Sequence, residues 1–124
     1  MRTVSCTVQE KTGYEIQITA VCCGTDLNVS VCGGQKHHIG AVAIAWGCMP
    51  DGSAPQYTPA VSSIACLNHK DDQVARKAAV RLAAAFRCTV VVTAGIHIDD
   101  ATPQEIEILL ANVEEGLRKL QELL

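Results

Sequence analysis

Residues 60–93 read AVSSIACL-NHK-DDQVARKAAVRLAAAFR-CTVVVT, and the hydrophobic period changes twice within them. Ala60 to Leu67 is a short apolar run suited to a strand. From Asp71 to Arg87 the residues Val74, Ala75, Ala78, Leu82, Ala85 and Phe86 recur at helical spacing. Cys88 to Thr93 is strongly β-branched and predicts another strand. A strand, a helix and a strand in succession form a crossover, which makes the two strands parallel if they share a sheet. The helical face is mostly alanine and can lie close against that sheet. Asn68 stands where it can cap the helix, and Asp71 and Asp72 complement its dipole.

Upstream of this segment the period is two. Arg2 to Gln9 places Val4, Cys6 and Val8 on one side, Tyr14 to Val21 places Ile16, Ile18 and Ala20, and Asp26 to Cys32 places Leu27, Val29 and Val31. Glu10–Gly13 and Cys22–Thr25 are turns, with Gly13 suited to a left-handed position. Ile39 to Trp46 is apolar on both sides and predicts a central strand. Gly47 to Pro59 reads as an exposed irregular loop. Downstream, Thr102-Pro103-Gln104-Glu105 is a capping box with proline at the first helical position. Ile106, Leu109, Leu110, Val113, Leu117, Leu120 and Leu124 continue it as one apolar stripe. The expected architecture is a single α+β domain over residues 1–124. It has a six-stranded, largely antiparallel sheet, elements in the order ββββbαβα, and two helices on one face. The first five strands are expected to run as an antiparallel meander.

The chain has 124 residues, 48% of them apolar and 19% charged, the composition of a folded globular domain. A formal charge of −3 without a basic stripe argues against nucleic acid. No apolar run approaches the length of a membrane span, and Met1 to Gln9 alternates like a strand rather than a leader, so a cytoplasmic location is expected. The seven cysteines are odd in number and form no Cys-x-x-Cys pair, which points away from disulfides and zinc. Cys6, Cys32, Cys66 and Cys88 sit in apolar runs, where a reduced thiol acts as a small hydrophobe.

Three polar stretches carry the candidate chemistry: Gly33-Gly34-Gln35-Lys36-His37-His38, Asn68-His69-Lys70-Asp71-Asp72, and Gly95-Ile96-His97-Ile98-Asp99-Asp100. Strand directions in the meander bring all three to one edge of the sheet. Gly33 and Gly34 allow close approach of a ligand to the backbone. His69 and Lys70 precede a helix N-terminus, a natural phosphate site. His38 and His97 offer donors or acceptors near neutral pH.

Gly33-Gly34 with His38-Ile39-Gly40-Ala41-Val42-Ala43, His69-Lys70-Asp71-Asp72 with Ala75-Arg76-Lys77, and Ala94-Gly95-Ile96-His97-Ile98-Asp99 resemble the small prenylated-flavin chaperones. That family is associated with UbiD-like hydroxyarylic acid decarboxylases, and its prototype belongs to the gallate decarboxylase system. The resemblance spans nearly the whole chain and implies a fold like that of proteasome assembly chaperones, as a homodimer. It implies a non-catalytic protein that binds reduced prenylated FMN and helps deliver it to an apo-decarboxylase. The implied cofactor-binding positions are Gly33, Gly34, His38, His69, Lys70, His97 and Asp99. On this reading Lys70 and glycine N–H groups meet the phosphate, and the imidazoles meet the ring edge. Ile39, Ile96 and Trp46 form the apolar wall. His37 stands where the family pattern suggests a neutral residue, and the Cys22-Cys23 surface and the Gly47–Pro59 loop look particular to this chain. The final helix and an edge strand are both eligible as the dimer seam.

Two other readings remain open at this level. His38, His69 and His97 with Asp99 or Asp100 suit a zinc or iron enzyme in ligand type, although no short His-x-x-x-His pair anchors them. Alternatively, the final helix packs on a protein partner and there is no small ligand.

Overall fold

The computed structural model describes residues 2–8, 13–47, 59–66 and 71–124. Glu10 to Thr12, most of the Gly47–Pro59 loop, Asn68, His69 and Lys70 lie outside the described residues. The elements are β1 (Thr3–Val8), β2 (Ile16–Cys23), β3 (Asp26–Gly34), β4 (Ala41–Gly47), β5 (Pro59–Ala65), α1 (Asp71–Phe86), β6 (Val90–His97) and α2 (Pro103–Leu123). They build an α+β fold whose single sheet runs β1-β2-β3-β6-β4-β5. Four neighbouring pairs are antiparallel and one, β3 with β6, is parallel. Class, strand number and the mainly antiparallel pairing follow the sequence expectation.

The meander does not hold between β3 and β4. Those strands run in opposite directions, but β6 lies between them, paired on one side with β3 and on the other with β4. β5 shares the direction of β6 yet is separated from it by β4, so the crossover passes over one strand. The β-branched run Val90-Val91-Val92 thereby gains ladder partners on both sides, and β5, carrying Ser62 and Ser63, is left as an edge. Gly95, Ile96 and His97, read from sequence as loop, extend β6, and Gly33 and Gly34 extend β3 opposite Ile96 and His97. Glycine weakens an isolated strand, so local pattern stops short of these residues. β4 is also not buried on both faces. Ala41, Ala43 and Ala45 face the core, while Ile44 and Trp46 on its other side are exposed.

All core-facing strand positions share one side of the sheet, and α1 covers β4, β5 and β6 while α2 covers β1 and β2. Alanines 75, 78, 79 and 83 bring α1 close to the sheet, and Gly116 does the same for α2, facing Ile18. On α2, Leu109, Val113, Leu117 and Leu120 are buried, each contributing about 1.5–3 kcal/mol of transfer free energy. Ile106 and Leu110, from the same stripe, remain exposed. Cys6 donates to the Gly116 carbonyl at 3.2 Å, and burial pushes the thiols of Cys6 and Cys88 up.

The capping box forms as expected. Thr102 Oγ1 accepts from the Glu105 N–H at 3.2 Å and Glu105 Oε1 accepts from the Thr102 N–H at 3.0 Å. The Tyr14 hydroxyl donates to Glu105 Oε2 at 2.9 Å, and the Asn112 amide donates to the Tyr14 carbonyl at 2.9 Å, so the α2 start is tied to the β2 start. The Thr102 N–H, followed by the Tyr14 hydroxyl, holds the Glu105 carboxyl below the usual carboxylate range. The unfolded chain therefore takes up this proton first. The stabilisation is fully present above the ordinary carboxylate value and is lost as pH falls through the lowered folded value. Acid titration monitored by circular dichroism should show a shallower loss of stability for Glu105→Gln than for the parent. Thr102→Ala should cost about 1 kcal/mol in urea unfolding at neutral pH.

Candidate functional site

The edge at which the polar stretches meet is set by register. Val8 pairs with Ile16, Ile16 with Gly33, and Gly33 with Ile96; Ala94 pairs with Ala41, and Ala41 with Ala65. The ends of β1, β3, β5 and β6 and the starts of β2 and β4 therefore lie together. Insertion of β6 changes which strands are neighbours but leaves their directions intact, so the Gly33–His38 and Gly95–Asp99 segments still converge.

Backbone contacts lock the two segments together. The Gln35 N–H donates to the His97 carbonyl at 2.7 Å, the Gly40 N–H to the Ala94 carbonyl at 2.8 Å, and the Gly34 N–H to the Glu15 carbonyl at 2.9 Å. Gly34 has φ +75°, and a Cβ there would collide with the His97 carbonyl oxygen. A Cβ on Gly33 would meet the Glu15 carbonyl, and one on Gly95 would meet the His38 carbonyl. In this geometry the glycines act as close-approach points that place His38 and His97. The Gly34 N–H is engaged within the fold.

Two imidazole–carboxylate pairs result. His97 Nε2 lies 2.8 Å from Asp99 Oδ1, and the Gln35 side chain accepts from the Asp99 N–H at 3.1 Å. His38 Nε2 lies 3.7 Å from Asp71 Oδ2, and Asp71 Oδ1 accepts from the Ile96 N–H at 3.2 Å. The His38 and His97 rings meet edge to face, with centroids 6.3 Å apart and planes at 78°. His38 and Asp71 are largely enclosed, whereas His97 and Asp99 face solvent. The edge thus presents one sheltered and one accessible pair, able to donate and accept hydrogen bonds around a polar ring.

Beside these pairs is a cavity of ≈ 350 Å³ whose walls include Asp71, His97, Val74, Ile96, Ile106 and Leu110. It adjoins a second hollow of ≈ 250 Å³ between α1 and α2 through shared Gln73, Val74 and Leu110, and Lys77 and Glu114 are among the residues that line that hollow. The exposed Ile106 and Leu110 are the apolar walls of this cleft. A volume of this size, mostly apolar with a few convergent polar groups, is that of a small-molecule site.

Of the residues singled out from sequence, Gly33, Gly34, His38, His97 and Asp99 come together at this edge; His69 and Lys70 lie outside the described residues. Ile96 lines the cavity. Trp46 does not: it sits opposite Ala60 at the far end of β4, so it is no wall of this site. Asp100 is exposed with φ +50°. Among the described residues, no three His, Cys, Asp or Glu side chains gather as metal ligands. Sequence reasoning names Asp71 and Gln35 only within the polar stretches, and Ile106 and Leu110 only within the α2 stripe, and gives none of the four a role in the site. An aspartate opening a helix looks like an ordinary dipole partner, and only its burial marks it. The surplus width of the α2 stripe was the available signal for Ile106 and Leu110.

A family model for the prenylated flavin chaperone LpdD-like domain matches residues 10–124. A solved structure from yeast, described as "Crystal Structure of a Novel Chaperone Complex for Yeast 20S Proteasome Assembly", is similar with a TM-score of 0.59 at 20% identity. The similarity covers 98% of this chain and 93% of that one, and at this identity it speaks for the fold alone. No curated protein matches the chain. No helix among the described residues is long and apolar enough to cross a membrane.

Proposed function

This chain belongs to the prenylated flavin chaperone LpdD-like family, and we propose that it binds reduced prenylated FMN as cargo and helps deliver it to an apo UbiD-like decarboxylase, without catalysis of its own. The observation that carries this reading is the apolar cavity of ≈ 350 Å³ opening directly beside the His38–Asp71 and His97–Asp99 pairs. The tricyclic ring needs an apolar wall, which Ile96, Ile106 and Leu110 offer, and a hydrogen-bonding edge, which His97 offers with Asp99 behind it. Gly33 and Gly34 act by positioning His97, and His38 by buttressing it. His69 and Lys70, immediately before α1 in sequence, supply cationic and N–H donors for the phosphate. A cleft open along one side suits a carrier, which must release what it binds. The protein acts as a homodimer in the cytoplasm, where free thiols such as Cys22, Cys23 and Cys66 persist.

The test is anaerobic titration with reduced prenylated FMN, read by absorbance and co-elution, with reduced FMN as control. Stoichiometric retention of the prenylated form is expected. Lys70→Ala should weaken it roughly 10-fold, the loss of one charge-assisted contact, with an unchanged melting temperature. Absence of retention would overturn the carrier reading, as would decarboxylation of hydroxybenzoates by the isolated protein.

A further inference from the structure

The cavity beside His97 continues between the helices into the hollow of ≈ 250 Å³. Its lining advances along both helices in step, from Asp71 and Val74 to Ala78 on α1 and from Ile106 and Leu110 to Leu117 on α2. The chemistry changes on the way. His97 and Asp71 belong to the first cavity, whereas the wall of the second is Val74, Ala78, Leu110, Ala111, Val113 and Leu117. Its polar members, Gln73, Lys77 and Glu114, are all exposed, so a group seated on that wall meets no buried polar atom. Leu110 belongs to both walls and is itself exposed.

Two features keep this space open. Ala78 and Ala111 each contribute only a methyl group where a larger side chain would fill it. Arg81 bridges the helices, its Nε–H donating to Gln121 Oε1 and its Nη1–H to Glu114 Oε2, both at 2.6 Å, which fixes the gap between them.

We infer that this second hollow is the subsite for the prenyl-derived part of the cargo and that it selects prenylated over plain flavin. The inference rests on the carrier reading and adds where the discrimination is made. A prenyl unit is five carbons without a hydrogen-bonding group, so it suits a wall that offers none. An apolar cavity of about 150 Å³ already takes benzene, and the hollow exceeds that. The free N–H groups of α1 lie at its start, about 10 Å back along the helix from Ala78, so phosphate and prenyl part occupy opposite ends with the ring between. Each methylene-sized group removed from water strengthens binding roughly fourfold, and plain FMN leaves the hollow empty.

Anaerobic titration of the full chain with reduced prenylated FMN and with reduced FMN, compared between variants, tests this. The parent should prefer the prenylated form on the order of 100-fold. Ala111→Phe, at an exposed position, fills the hollow without disturbing the core. It should reduce that preference to less than about 5-fold, leaving reduced FMN affinity and circular dichroism unchanged. Ala85→Phe, exposed on α1 and outside the hollow, should keep the parent's preference. A parent that binds neither flavin would overturn the carrier reading and this subsite with it. Undiminished preference in Ala111→Phe would overturn the subsite alone. So would an equal loss of both flavins, which would give the hollow to a part that they share.

Discussion

Gly95→Ala should lower stability by about 3 kcal/mol and the melting temperature by about 10 °C, a large change for one methyl group. The methyl would point into the His38 carbonyl oxygen, which is backbone and cannot rotate away. Nor can the crossing segment retreat, since the Gly40 N–H is bound to the Ala94 carbonyl and the Gly40 carbonyl accepts from the Cys66 N–H at 2.7 Å. Relief requires breaking these bonds or bending β6. Either would move His38 away from His97, so flavin retention should fall with stability. Thr93→Ala, two residues earlier on the same outward row, removes atoms without a collision and serves as control. Urea unfolding of both variants decides the matter; a Gly95→Ala midpoint matching the parent would show that the segment above β6 adjusts freely.

Asp71→Ala should be nearly as costly, at about 2–3 kcal/mol. This carboxylate is buried, accepts from the Ile96 N–H and faces His38 Nε2, so it couples the α1 start, the end of β6 and the Gly33–His38 segment. Removing it leaves the Ile96 N–H without its acceptor in an apolar setting. Asp71→Asn keeps an oxygen for that N–H and should recover much of the loss, while the charge facing His38 is gone. The distinguishing readout is amide exchange. Ile96 should lose protection in the alanine variant and keep it in the asparagine variant. If Asp72→Ala, one residue on and only partly buried, costs as much, Asp71 matters for the helix dipole and not for the site.

The candidate site was legible where residue type speaks for itself. Two glycines beside imidazoles, and a histidine alternating with isoleucines, mark an edge where backbone approaches backbone and polar groups are left for use. Its inner support was not legible. Asp71 resembles any acidic residue in a first helical turn, and the second carboxylate of that turn, Asp72, shows that sequence alone cannot say which one turns inward. Trp46 misled for the opposite reason: a large apolar side chain suits a flavin wall anywhere, and only strand register puts it at the far end of β4.

Element types, the inward sets of β1, β2 and β3, the capping box and the alanine face of α1 were determined by sequence alone. Each depends on a period of two or 3.6 residues, or on a contact within one turn, and such patterns survive without neighbours. The order of the strands was decided only by the tertiary structure. Backbone donors and acceptors are the same on every strand, so nothing local tells β3 to pair with β6 instead of β4. That choice follows from how the valine-rich strand is buried beneath α1 with a ladder on both sides. The same packing leaves Ile106 and Leu110 lining a cleft and Ile44 and Ile64 on an open face, because a stripe's width says how much is apolar and not what will cover it.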